Sequence, residues 1–233
     1  MKVFAISDLH LSFETNKPMD LFGGHWTNYE ERIRTDWNQK VGPDDVGIIA
    51  GDISWAMKMD DTKKDFEYIH SLAGKKIIIR GNHDYWWKSI SKIRETLAPD
   101  AFALQNDAIK IDKFVFAGTR GWRVPERRMV QSGEDKKIYE REIIRFELAL
   151  KDAKTKIAEG DTLIAILHYP PFNATQDDSP FTKLCEQYGV AHCVYGHLHG
   201  KSVRAEPIVK KSGVTYHLTS CDLLNHTVAL ISE

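Results

Sequence analysis

Residues 75–84 read Lys75-Lys76-Ile77-Ile78-Ile79-Arg80-Gly81-Asn82-His83-Asp84. The β-branched run Ile77–Ile79 has the composition of a strand, and Gly-Asn suits the turn that ends one. Any turn accommodates Gly and Asn. Two further titratable groups in the same turn are unusual, and they mark it as a place where chemistry is done.

The same layout recurs in both directions. Apolar runs at Val3–Ile6, Val46–Ala50, Phe114–Ala117, Thr162–Leu167 and Ala191–Tyr195 read as strands. Between them, Asp60–Ala73 and Ser89–Leu97 carry apolar residues at helical spacing amid mixed charge. This alternation indicates βαβ units, and parallel strands need crossovers of a dozen or more residues, so a layered α/β fold with helices over a sheet is expected. The clearest helix is Glu134–Glu159, where Tyr139, Ile143, Phe146, Leu150, Ala153 and Ile157 step by three and four. Ser132 with Asp135 offers a capping box, Glu147 and Lys151 an i,i+4 ion pair, and Gly160 a stop. Ser202–Val209, Gly213–Thr219 and Thr227–Ile231 read as a C-terminal β run. No linker or repeat divides the chain, so residues 1–233 are expected to form one unit.

Five polar clusters each follow directly on a strand: Asp8-Leu9-His10, Gly51-Asp52, Gly81-Asn82-His83-Asp84, His168-Tyr169 and Gly196-His197-Leu198-His199. In open α/β sheets, ligands bind beyond the carboxyl ends of the strands, so the five can converge on one crevice. Asp8 and His10, like His197 and His199, face one side if the chain there is extended. Singly, each cluster has a plain explanation as a turn or helix cap; together, in this placement, coincidence is a poor account. Two Asp, one Asn and four His without a thiolate form an oxygen and imidazole set suited to borderline divalent metals. Seven ligands exceed the four of one tetrahedral ion and suggest two ions with a shared carboxylate.

These blocks resemble the motif series of the calcineurin-like metallophosphoesterases, from Asp8 to His199, with the loosest match over 86–160. The resemblance implies an α/β fold of four-layer α/β/β/α sandwich form, with the dimetal site at the carboxyl ends of the strands, refining the single-sheet reading. It implies one ion on Asp8, His10, Asp52 and His199, and another on Asp52, Asn82, His168 and His197, with Asp52 bridging. His83 would face the substrate, hydrogen-bonding the phosphate or protonating the leaving oxygen, and Asp84 is the candidate group to orient it. Manganese, iron and zinc are the expected ions. The implied reaction is hydrolysis of a phosphoester by a hydroxide held between them.

Around these motifs stand Trp55, Trp86, Trp87 and Tyr169, either core residues or a stacking wall. The loop Thr119-Arg120-Gly121-Trp122-Arg123, with Arg127 and Arg128 beyond, follows another strand, and Arg forks suit phosphate oxygens. Arg120, Trp122, Arg123 and Trp55 are therefore candidate substrate contacts, and a small phosphodiester or nucleotide-like compound is the expected substrate. A protein phosphatase or nuclease would use the same chemistry, whereas a non-catalytic scaffold would be expected to have lost ligands. The 32 basic and 33 acidic side chains leave a net charge of −1, which argues against stable nucleic-acid binding. No apolar run approaches the about 20 residues of a membrane span. The N-terminus turns polar too early for a signal peptide, and three cysteines without a Cys-x-x-Cys pair suit a reducing compartment, so a cytoplasmic protein is expected. His25, His70, His192, His217 and His226, outside the motifs, are read as surface or core residues.

Overall fold

The computed structural model describes residues 1–127, 132–200 and 203–233. Four parallel strands, β1 (Val3–Ile6), β2 (Val46–Ile49), β3 (Lys75–Ile79) and β4 (Ala101–Leu104), lie side by side in that order. A second sheet has the order β5 (Asp107–Ile111), β6 (Phe114–Gly118), β7 (Thr162–Ile166), β8 (His192–Tyr195), β10 (Val214–Leu218), β9 (Ile208–Lys211). Its four inner strands are parallel, and β5 and β9 flank them antiparallel. The final strand, β11 (Ala229–Ser232), returns antiparallel to the free edge of β1.

Both sheets are buried on both faces, and the two-residue period of a strand divides their side chains between layers. Val3 and Ala5, Ile77 and Ile79, Phe114 and Phe116, and Ile164 and Ile166 point into the space between the sheets. Their neighbours Phe4, Ile6 and Ile78 point outward, beneath α1 (Tyr29–Lys40), α2 (Lys63–His70) and α3 (Ile90–Thr96). On the other side Val115, Ala117, Leu163 and Ala165 meet α4 (Gly133–Lys154) and α5 (Pro180–Tyr188). The layers are therefore α/β/β/α, not helices around a single sheet. No helix among the described residues is long and apolar enough to cross a membrane.

Several boundaries differ from the sequence reading. Helix α4 begins where Ser132 accepts the Asp135 N–H at 3.1 Å, and Lys151 pairs with Glu147 at 2.9 Å. The reciprocal half of the capping box is absent; the Asp135 carboxylate takes the Ser132 hydroxyl instead. The helix ends at Lys154, ahead of Gly160, because Thr155 turns its hydroxyl onto the Asp152 carbonyl. Within the expected strand Ser202–Val209, Ser202 lies outside the described residues and β9 begins only at Ile208. Helices α1 and α5 and strands β4 and β5 were not anticipated. Two of them carry local signals: Tyr29, Ile33 and Trp37 of α1 are buried four apart, and Ser179 and Thr182 close a capping box ahead of α5, with Pro180 at its first position.

Candidate metal centre

The carboxyl ends of β1, β2 and β3 in one sheet and β7 and β8 in the other meet along one edge of the sandwich. There the chain leaves regular structure in a common way: Asp8, His10, Asp52 and His197 all have left-handed backbones, with φ of 58°, 48°, 51° and 71°. Such conformations cost about 1–3 kcal/mol each in a non-glycine residue and persist only where the surroundings enforce them. Here the loops after β1 and β2 stay hydrogen-bonded beyond the strands, Asp8 N–H to Gly51 O at 3.0 Å and His10 N–H to Asp52 O at 3.0 Å. Asp8 and His10 thus converge through left-handed turns, not through the extended backbone expected.

Two glycines make the approach possible. A Cβ on Gly81 would lie 2.1 Å from Asp52 Oδ1, and one on Gly196 would lie 2.2 Å from Ser7 Oγ and 2.6 Å from Asp8 Oδ2. Gly81 and Gly196 therefore each leave space that a carboxylate of a neighbouring loop occupies.

Oxygen and nitrogen atoms of Asp8, His10 and His199 lie within 4.8 Å of one another, as do those of Asp8, Asp52 and His168. Asn82 Oδ1 meets both His168 Nε2 at 2.7 Å and His197 Nδ1 at 2.8 Å. All seven expected ligands therefore share one cluster. Asp52 Oδ1 accepts the His83 N–H at 2.8 Å, whereas its Oδ2 is buried without a hydrogen-bond partner, 3.8 Å from His10 Nε2 and 3.5 Å from His168 Nε2. Both ring nitrogens of His10 are likewise buried and unpaired. Orphaned buried donors and acceptors cost about 1–3 kcal/mol each, and a cation coordinated by them removes that cost. The donor set fits a divalent ion.

The electrostatics agree. Burial pushes the His10 pKa down to about 4, and burial with His168 alongside does the same at His197, so both rings are neutral and able to coordinate. At His168 burial opposes the cation, but Asp52 outweighs it and raises the pKa to about 9. Burial likewise opposes ionisation of Asp52, yet His168 and His10 hold it far below the usual carboxylate range. His168 Nδ1 lies 3.0 Å from the Ala50 carbonyl, an arrangement that leaves Nε2 for an ion.

His83 is half-buried at the mouth, its ring 4.7 Å from Trp55 and 5.6 Å from His10, with Nδ1 unpaired and its pKa lowered by burial. Asp84 does not orient it. The Asp84 side chain is fully buried: Oδ1 accepts from Ile53 N, Ser54 N and Trp86 Nε1 at 2.9, 3.1 and 3.1 Å, and Oδ2 from Gly81 N at 2.7 Å. Burial, then Asp52, raises its pKa to about 6. Its place is beneath the centre, clamping the loop after β2 to the loop after β3.

The aromatic wall is smaller than its composition suggested. Trp86 and Trp87 belong to the core. Trp55 stacks on His10 at 4.6 Å. Trp122 leans on Tyr169 at 5.1 Å and lies under the Arg120 guanidinium at 4.8 Å. Arg120 is turned to buried Glu142 of α4, 3.7 Å away, and Arg127 grips Asp177, so neither guanidinium points to the centre. Arg128 lies outside the described residues. Arg123 is exposed and has no hydrogen bond or ion pair to any described residue. It lines a cleft of about 520 Å³ that also touches Tyr169 and His197.

Three supporting groups escaped the sequence reading. Ser7 Oγ donates to Asp8 Oδ2 at 2.6 Å, Cys221 Sγ to Asp8 O at 3.0 Å, and Tyr29 OH to His10 O at 3.1 Å. Ser7 and Cys221 had a legible clue, since they follow β1 and β10 as the motifs follow their strands.

Residues 1–201 match the family described as calcineurin-like phosphoesterase. A comparison with curated proteins returns no match. Among solved structures, a protein of Thermus thermophilus aligns at 10% identity over 99% of this chain and 97% of its own, with a TM-score of 0.56. The phosphopantetheinyl hydrolase of Mycobacterium tuberculosis aligns at 16% identity over 94% and 88%, TM-score 0.55. A protein of unknown function from Aquifex aeolicus aligns at 13% identity over 98% and 95%, TM-score 0.52. At these identities the likeness is one of fold.

Proposed function

Because the chain belongs to the calcineurin-like phosphoesterase family, we propose that it hydrolyses a small organic phosphoester at a centre of two divalent ions. The observation that carries this reading is Asp52 Oδ2, buried without a hydrogen-bond partner between His10 and His168. A carboxylate oxygen so placed suits a bridge. Asp8, His10 and His199 would complete one ion's ligands, and Asn82, His168 and His197 the other's. The ions would supply an activated water and neutralise the phosphoryl oxygens.

The chain's own residues do the rest. Trp55 and the loop after β2 fix the His10 ring, and the Ala50 carbonyl fixes His168. His83, half-buried beside Trp55 and His10, is the residue assigned to donate a hydrogen bond to a phosphoryl or leaving oxygen. The cleft beside His197 favours a small substrate over a phosphoprotein, because a folded protein would meet the site as a surface and not fill an indentation.

The test is elemental analysis of Mn²⁺-reconstituted protein together with a panel of phosphomonoesters, phosphodiesters, nucleotides and phosphopeptides. Two ions per chain are expected, with both sites weakened in Asp52→Asn and mainly one in Asp8→Asn. A single ion at saturation, or turnover of phosphopeptides above every small ester, refutes the reading.

A further inference from the structure

The cleft beside His197 is bounded by the loops after β6, β7 and β8 and by β9. At about 520 Å³ it falls in the range of sites that enclose small organic molecules. Its walls are core residues: Val124, Phe172, Tyr195 and Val209 are each less than 10% exposed. Phe172 meets Tyr195 and Tyr216 edge-on at 5.7 and 5.4 Å, so the floor is continuous with the packing between the second sheet and its helices. Such a floor is preformed.

Part of the polar lining is already engaged. Asn173 Nδ2 donates to Asp177 at 3.0 Å and its Oδ1 accepts the Asp177 N–H at 3.0 Å; Glu126 Oε1 accepts the Ala174 N–H at 3.0 Å. The charged lining among the described residues is Arg123, Arg204, Glu126 and Glu206, two of each sign. Neutral balance gives a polyanion no advantage here, and the Asn173 amide is held by Asp177, which leaves the Gln176 amide and the Tyr169 hydroxyl as the uncharged polar side chains of the lining without a hydrogen bond among the described residues. Between these groups the open surface is apolar, formed by Pro170, Leu198, Val203 and Ala205, with Arg123 at the rim near Tyr169.

We propose that this cleft receives the organic group of the substrate, and that the group is an uncharged, largely apolar alcohol whose phosphate reaches the metal centre past His197 and Arg123. The inference rests on the phosphoesterase reading for its reaction, but the binding it asserts is separable from turnover. Nucleotides and sugar phosphates, whose organic groups are polar, would then be poorer ligands than alkyl esters of equal size.

The experiment uses n-alkyl phosphonates from methyl to hexyl, whose carbon–phosphorus bond resists hydrolysis, with Mn²⁺-loaded protein in a calorimeter. Transfer of each methylene from water to an apolar wall should tighten Kd by about two- to fourfold. Ala174→Trp and Ala205→Trp place an indole in the cleft from two sides, and either should flatten the series to within about twofold overall. A flat or inverted series in the parent, or a slope that survives in both variants, overturns the proposal. Tighter binding of adenosine monophosphate than of hexyl phosphonate overturns it as well. p-Nitrophenyl phosphate hydrolysis is followed in parallel. Turnover without chain-length dependence would sink the cleft and leave the phosphoesterase reading intact, whereas chain-length-dependent binding without turnover of any ester would do the reverse.

Discussion

Asp84 is the residue on which the sequence and the structure differ most sharply, and its replacement separates the two. If its carboxylate clamps loops, removing it unfolds protein; if it oriented His83, removing it would alter turnover and leave stability alone. Asp84→Ala strips the acceptor from three backbone N–H groups and one indole N–H, all buried. An orphaned buried donor costs about 1–3 kcal/mol, and water entering the vacated space recovers part, so a net loss of about 4 kcal/mol is expected. Asp84→Asn keeps the shape and the three bonds to Oδ1, but sets an amide N–H against that of Gly81, 2.7 Å from Oδ2. That single conflict should cost about 2 kcal/mol. The assay is urea unfolding of parent and variants at constant m, with thermal melting beside it. For a chain of this length about 4 kcal/mol corresponds to a fall of about 8–16 °C in Tm. Mn²⁺ affinity should weaken in the same order, since the clamp holds Gly81 and Ile53 on either side of Asp52. An Asp84→Ala protein within about 1 kcal/mol of the parent, or an Asn variant as damaged as the Ala variant, refutes the clamp.

Three further outcomes are expected. Gly81→Ala and Gly196→Ala put a Cβ onto Asp52 and onto Ser7 with Asp8, so both should lose stability and bind Mn²⁺ at least tenfold more weakly in titration calorimetry, a change of about 1.4 kcal/mol; unchanged affinity would mean the loops yield freely. His168, raised to about 9 beside Asp52, carries a proton at pH 7.5 in metal-free protein and must lose it to coordinate, so metal uptake should release close to one proton per chain from this site, read with an indicator dye in weak buffer. The sign follows from the same value: the His168–Asp52 pair stabilises metal-free protein fully below about pH 6.5 and ceases to as pH rises through about 9, while metal affinity climbs over that interval. His83→Ala should leave two ions bound and lower kcat by about 10²–10⁴-fold, and loss of metal in that variant would show that the ring supports the centre and does not serve the substrate.

What the sequence determined by itself was everything governed by neighbours along the chain. Strand β1 at Val3–Ile6, and strands at Val46, Phe114 and Thr162, follow from short β-branched runs. The motif turns announced themselves because each puts a titratable group after such a run, and all but Gly51-Asp52 put two. Once the strands of a sheet are parallel, their carboxyl ends share an edge, so the grouping of Asp8 with Asp52 and Asn82, and of His168 with His197, needed no knowledge of long-range contacts, whereas the meeting of the two groups needed the stacking of the sheets. The period of α4 was legible for the same reason.

The tertiary structure decided what depends on partners far apart in sequence. A run of apolar residues does not say whether one sheet or two will bury it, and the outward faces of β1 and β7 turn to different helices only because the sheets stack. Asp84 and Arg120 are the clearest cases. Both stand at strand ends beside the motifs, where position alone suggested chemistry. Asp84 instead turns to Ile53 and Ser54, 31 and 30 residues back, and Arg120 to Glu142, 22 residues ahead. A buried charge goes to whatever satisfies it most completely, and which group that is depends on the folding of loops that no local pattern encodes. The cleft beside His197 has the same origin: its walls come from four separate segments, and only their packing leaves a space between them.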